Sequence, residues 1–255
     1  MKQFLAVGLN HFQVPGNDLQ ECVADAVDMQ ALGIKMGAGN TILRDGQATK
    51  SGALICLGVL VNQAKAGNLS YLGFSWSGHG THYSRPEEPD GLGEALVCYD
   101  IAEKDGEWNP ATIIKDTELR DLLNQVPATC TAEVWLDTCF SGGMDRAFGK
   151  GKNRFLHNPD NPDKALRVAN MNMSQGLNSN IIMWCACSEA QESADAPDLG
   201  NGAFTYYWLK AFKDNPQASR VELLLATRDG LKANGYDQFP RLKCWNAAGQ
   251  KAVGI

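Results

Sequence analysis

The chain has 255 residues, 44% of them hydrophobic, and a formal net charge of −6, enough to bury a real core in one domain. The acidic balance gives no general electrostatic reason to bind nucleic acid or anionic membranes. No stretch approaches the roughly 18 apolar residues that span a bilayer, and polar Asn10 and His11 interrupt the opening apolar run before a signal-peptide core is complete, so the expectation is a soluble, cytoplasmic protein.

In chain order, FLAVGL (4–9) reads as a buried strand. Residues 17–35 show helical spacing at Leu19, Cys22, Val23, Ala26, Met29 and Leu32, with Asn17 or Asp18 as the cap. NTILRD is a second strand, SGALICLGVLVNQAKAG a helix, and LSYLGFSWSG a third strand ending at glycine. GHGTHYSRPEEPDGLG is loop-like, EALVCYD a small strand, TELRDLLNQV a helix and TAEVWLD the fourth main strand. Residues 142–178 lose apolar periodicity and gather Gly, Asn, Pro and basic residues, which predicts a long exposed connection. IIMWCAC is a fifth strand, AFTYYWLKAF and RVELLLATRDGLKAN are two helices, and FPRLKCWN is a last strand. This alternation predicts an α/β protein with a mainly parallel sheet.

The eight cysteines lie mostly inside apolar segments, without the paired spacing of a disulfide scaffold, and are expected to be reduced. One of them is placed differently. In an open α/β sheet reactive groups collect beyond the carboxyl ends of the strands, where LGFSWSG runs out into His79 and VWLDT into Cys139. If those strands are neighbours, an imidazole faces a thiol and can favour the thiolate or act as its base. Gly78 and Gly80 allow a tight turn, so the Gly80 and Cys139 N–H groups can form an oxyanion hole. Against this stands the bland alternative that each residue is a buried or structural side chain. Asp137, two residues before Cys139, points to the same side of an extended strand.

SGHG (77–80), DGLGEALVCYD (90–100) and LDTCFSGG (136–143), with FLAVGLN, ECVADAVDM, ILRDGQATKSGAL and GAFTYYWLKAF around them, resemble the metacaspase and bacterial orthocaspase branch of the caspase-like peptidases over most of the chain. Phe140 and His82 depart from the residues that the family often has there. The resemblance implies a caspase-like fold over residues 1–255. A large-subunit-like part would cover about 1–141, the 142–178 linker would follow, and a small-subunit-like part would cover 179–255.

The resemblance also implies a cysteine endopeptidase with Cys139 as nucleophile and His79 as general base and acid. Asp25, Asp137 and Ser77 match the family's pocket for a basic side chain on the acyl side of the cleaved bond. Two carboxylates and a hydroxyl suit a guanidinium, so cleavage after Arg is expected, with Lys second. Arg146, Lys150, Lys152, Arg154, Lys164 and Arg167 become candidate self-processing sites, against the reading of a solvated basic loop.

The chemistry requires no cofactor. Many metacaspases respond to calcium, but the family's paired acids before the third helix read Asp116-Thr117 here, which argues against a strong site. Zinc at His79, His82 and Cys139, or at Cys185 and Cys187, is disfavoured by the spacing. Expected partners are polypeptides with basic residues, and a monomer is expected rather than an obligate dimer. The competing reading is a catalytically silent or latent caspase-like scaffold that acts by binding a partner.

Overall fold

The computed structural model describes residues 1–88, 91–139, 152–159, 176–187, 193–244 and 246–254. The first half contains β1 (Lys2–Gly8), α1 (Cys22–Lys35), β2 (Gly39–Arg44), α2 (Lys50–Lys65), β3 (Tyr71–Ser77), β4 (Gly80–Ser84), β5 (Leu92–Val97), β6 (Glu103–Lys104), β7 (Glu107–Trp108), β8 (Ile113–Lys115) and α3 (Asp116–Leu123). The second contains β9 (Thr131–Asp137), β10 (Lys152–Asn153), β11 (Ile181–Cys185), β12 (Ala194–Ala196), β13 (Asn201–Gly202), α4 (Ala203–Asp214), α5 (Arg220–Ala233) and β14 (Arg241–Lys243).

The main sheet has the order β14-β11-β9-β3-β1-β2, parallel except for antiparallel β14 at one edge. Its central strands β1, β3, β9 and β11 are buried on both faces, which is why they read as continuous apolar runs. On β1, Leu5 and Val7 join one core layer with Leu57 of α2 and Leu119 of α3. Phe4 and Ala6 join the other with Met29 of α1, Phe204 and Trp208 of α4, and Leu223 of α5. Within the second layer lies a buried polar group: Glu133 on β9 accepts from the Arg220 guanidinium at 2.7 Å, the Tyr71 hydroxyl and the Trp184 indole. No helix among the described residues is long and apolar enough to cross a membrane.

Three expectations are corrected. The first helix starts at Cys22 behind Glu21, not at a cap of Asn17 or Asp18. The amides of Gln20 and Glu21 instead donate to the Asp195 carboxylate, and the Asn17 carbonyl accepts from His79, so tertiary partners take up backbone groups that a longer helix would use internally. Within the GHGTHYS loop lies β4, paired antiparallel with β5; its polar, short sequence carries no alternation to betray a strand. Finally, the 142–178 connection is only partly exposed where it is described between 152 and 158: Lys152 and His157 are exposed, but Arg154, Phe155, Leu156 and Asn158 are buried.

Candidate active site

Ser77 at the end of β3 is the register partner of Asp137 at the end of β9. His79 and Cys139, each two residues beyond that pair, therefore leave the sheet side by side. A Cβ on Gly80 would overlap the Cys139 carbonyl oxygen, so the two turns approach as closely as they do only with glycine there.

Between them sits a segment of the chain itself. The Arg154 carbonyl oxygen accepts from the Gly80 amide at 2.9 Å and from the Cys139 amide at 3.3 Å. The Arg154 amide donates to the Ser193 carbonyl, and the Leu156 amide to the Gly80 carbonyl. Cys139 is fully buried beneath this segment. Its sulfur accepts from the Ser193 amide and contacts the Cys187 thiol, whose pKa is pushed up by that hydrogen bond first and by burial second.

The Nε2 of His79 lies 2.7 Å from the Asn17 carbonyl oxygen. A carbonyl only accepts, so Nε2 carries the proton and Nδ1 holds the lone pair. Nδ1 is buried and makes no hydrogen bond, and the Arg154 backbone lies against the ring. Burial lowers the His79 pKa to about 4, against the pull of the Asn17 carbonyl. The imidazole is therefore neutral at physiological pH, with its lone pair on Nδ1.

The Arg154 side chain enters a pocket of three carboxylates. Nη1 is 2.9 Å from Asp25, 3.1 Å from Asp137 and 2.7 Å from the Ser77 hydroxyl, and Nη2 is 3.0 Å from Asp195. Each acid is itself held. Ser77 donates to Asp25, as do the Gly202 amide and Asn201, while Ser193 and Thr205 donate to Asp137. All three carboxylates and the guanidinium are buried. Burial alone would strip such charges. For Arg154 it works against the cation, but Asp137, Asp25 and Asp195 outweigh it and push the pKa up. Asp25 responds the other way: burial, with Asp137 adding to it and Arg154 opposing, raises its pKa to about 7. Behind the floor, Asp25 and Asp137 also line a cavity of about 10 Å³ with Ser75, Trp135, Phe204 and Trp208.

Of the residues named from sequence, Asp25, Asp137 and Ser77 meet at the Arg154 guanidinium and the Gly80 and Cys139 amides at its carbonyl oxygen, with His79 adjoining Gly80, while the Cys139 sulfur itself contacts Ser193 and Cys187. Asp195, Ser193, Thr205, Gly202, Asn17 and Cys187 were not foreseen in these positions. Thr205 lies in the first turn of α4 and the others in turns or short strands, without motif spacing, and only folding brings them in. Of the processing candidates, Arg154 fills the pocket, whereas the Lys152 ammonium turns to the Asp18 carbonyl. Arg146, Lys150, Lys164 and Arg167 lie outside the described residues.

No group of three or more His, Cys, Asp or Glu that could hold a metal occurs among the described residues. Three acids around α3 are engaged by protein partners. Asp116 is spent on the Tyr83 hydroxyl and Arg85, Glu118 on Lys50, and Asp100 on the Lys50 amide.

The caspase-domain model of the C14 peptidases matches residues 2–249. The chain belongs to the caspase-domain family. This caspase domain is 26% identical to Metacaspase-1 of Coccidioides immitis, over 95% of the chain and 61% of that protein. It is 25% identical to Metacaspase-1 of Schizosaccharomyces pombe, over 95% of the chain and 67% of that protein. It therefore spans about three fifths to two thirds of the length of these curated relatives. Among solved structures, a Geobacter sulfurreducens protein shares 23% identity over 98% of this chain and 96% of its own, with a TM-score of 0.73. Caspase-1 of Spodoptera frugiperda shares 10% over 95% and 86%, with a TM-score of 0.62. The expected caspase-like fold, a mainly parallel sheet flanked by helices, is the one observed.

Proposed function

We propose that this caspase domain is a cysteine endopeptidase that cuts after arginine, with lysine second, and whose first substrate is its own Arg154–Phe155 bond. One observation carries the reading: a single arginine has its carbonyl oxygen between two converging amides and its guanidinium among three acids.

His79 Nδ1 takes the thiol proton of Cys139, and the sulfur attacks the Arg154 carbonyl carbon. The oxyanion that forms stays between the Gly80 and Cys139 N–H groups, fixed donors that need no reorganisation. As the C–N bond breaks, His79 returns the proton to the departing Phe155 amine. Water, deprotonated by the same imidazole, then hydrolyses the Arg154 thioester and frees Cys139. No cofactor enters these steps.

Until the cut is made, the Arg154 segment fills the pocket and covers the sulfur, so another polypeptide cannot enter. The intact chain is in this reading a latent form, and the partners of the opened form are polypeptides with exposed basic residues. Retention of the thiol, the base and the acid pocket together disfavours a silent scaffold. Intact-mass measurement of purified protein tests the proposal. Wild type should convert to fragments 1–154 and 155–255, and Cys139→Ala should remain whole. Cleavage at the same bond in Cys139→Ala would assign it to another agent.

A further inference from the structure

The residues after Arg154 are held as closely as Arg154 itself. Gly80 receives the segment in the pattern of a parallel strand pair, giving its amide to the Arg154 carbonyl and taking the Leu156 amide on its own carbonyl at 2.8 Å. The next residue, Thr81, donates its hydroxyl to the Leu156 carbonyl at 2.6 Å, and Asn158 reaches the His82 carbonyl. The chain downstream of the scissile bond is thus laid along β4 as an added strand. In such docking the backbone bonds are indifferent to sequence, and pockets for alternate side chains supply the selection.

Two such side chains are buried. Phe155 packs with Cys139 and Cys187 and meets the His82 ring edge-on, with centroids 5.1 Å apart and planes at 62°, a favoured geometry for paired rings. The two sulfurs are polarisable partners for the same ring. Leu156 joins the large core layer below. Neither contact is required by the chemistry, which needs only an amine to expel.

From this we infer a second specificity site on the leaving-group side, resting on the reading of Arg154–Phe155 as the presented bond. Its pocket, formed by His82, Cys139 and Cys187, takes an aromatic residue immediately after the cleaved bond, and the following position takes an aliphatic one. The substrate class is then a basic residue followed by an aromatic and an aliphatic residue. His82, which stands in β4 outside the acid pocket and the proton-transfer pair, is a specificity residue of the site.

The test uses self-processed enzyme and internally quenched peptides of the form Lys-Asn-Arg-Xaa-Leu-His. Phe and Tyr at Xaa should be cut at comparable rates, while Gly and Asp should lower kcat/KM by about tenfold or more, the scale of losing a buried aromatic side chain. His82→Ala should narrow the preference for Phe over Gly. In the full chain, Phe155→Gly should slow self-cleavage by about the same factor and Phe155→Tyr should not. Equal rates for Phe and Gly peptides, with arginine still required, would overturn this site and leave the peptidase reading standing. No cleavage of any arginine peptide would remove both.

Discussion

The Arg154 guanidinium lies 3.1 Å from the Asp137 carboxylate, and neither side chain reaches solvent. They are 17 residues apart in sequence, on either side of a segment that carries the nucleophile. A buried charge of this kind persists only when it is paired and hydrogen-bonded, and here Asp25, Asp137, Asp195 and Ser77 hold the two Nη atoms, while Nε makes no hydrogen bond.

The first prediction concerns the fork of that guanidinium. Nη1 and Nη2 reach different acids, which a single ammonium cannot reproduce. Arg154→Lys should slow self-cleavage by about tenfold or more, and Arg154→Gln should leave this bond uncut. Fragment appearance followed by intact mass over time checks both; equal rates for Arg and Lys would remove the fork from the account.

Asp195 supplies the second. It is the only described carboxylate on Nη2, so Asp195→Asn should reduce kcat/KM for arginine peptides on the order of a hundredfold, the scale of leaving a buried charge short of one partner. The loss should fall mainly on KM. A loss confined to kcat would argue that Asp195 acts on the reacting atoms instead.

The pH profile is the third. His79, lowered to about 4 by burial, is already neutral well below pH 7. Asp25, raised to about 7, must lose its proton to offer a charge to the Arg154 guanidinium. The value of about 7 belongs to Asp25 with Arg154 in the pocket, so the acid limb of self-cleavage by the intact chain should lie near pH 7 and belong to Asp25, and Asp25→Asn should flatten it while lowering the plateau. For folding, the two signs oppose. Native Asp25 holds a proton that the unfolded chain releases above its ordinary value of 3.8, so its contribution to stability falls as pH rises from there through about 7. Native His79 resists a proton that the unfolded chain binds below 6.5, so its contribution is lost as pH falls toward 4. Denaturant titrations of Asp25→Asn and His79→Gln across this range separate the two.

The fourth lies at the oxyanion site. Gly80→Ala forces a methyl group into the Cys139 carbonyl and displaces one of the two amides, so cleavage should fall by about 10²–10³. Circular dichroism of the variant should show the sheet intact, and unchanged activity would exclude Gly80 as a donor.

Away from the site, Glu133→Ala strands the buried Arg220 charge. It should cost about 3–5 kcal/mol of stability, read by denaturant unfolding. Arginine-peptide cleavage below the transition should persist.

Much of this was legible in the chain. Parallel strands buried on both faces announce themselves as apolar runs, so TAEVWLD was read with the same limits as β9. Cys139 and His79 stood out because each follows such a run and is bordered by glycine. Asp137 was visible through the two-residue period of its strand.

What the sequence by itself determined was local: which segments bury themselves, and which reactive side chains stand at strand ends. Only the tertiary structure decided which strands are neighbours, with Ser77 opposite Asp137, and which of several basic residues in an irregular stretch is drawn inside. Arg154 carries no local mark that distinguishes it from Lys152. Its burial depends on carboxylates contributed from positions 25, 137 and 195, and an ion pair between groups so far apart in the chain has no periodicity to reveal it before the chain has folded.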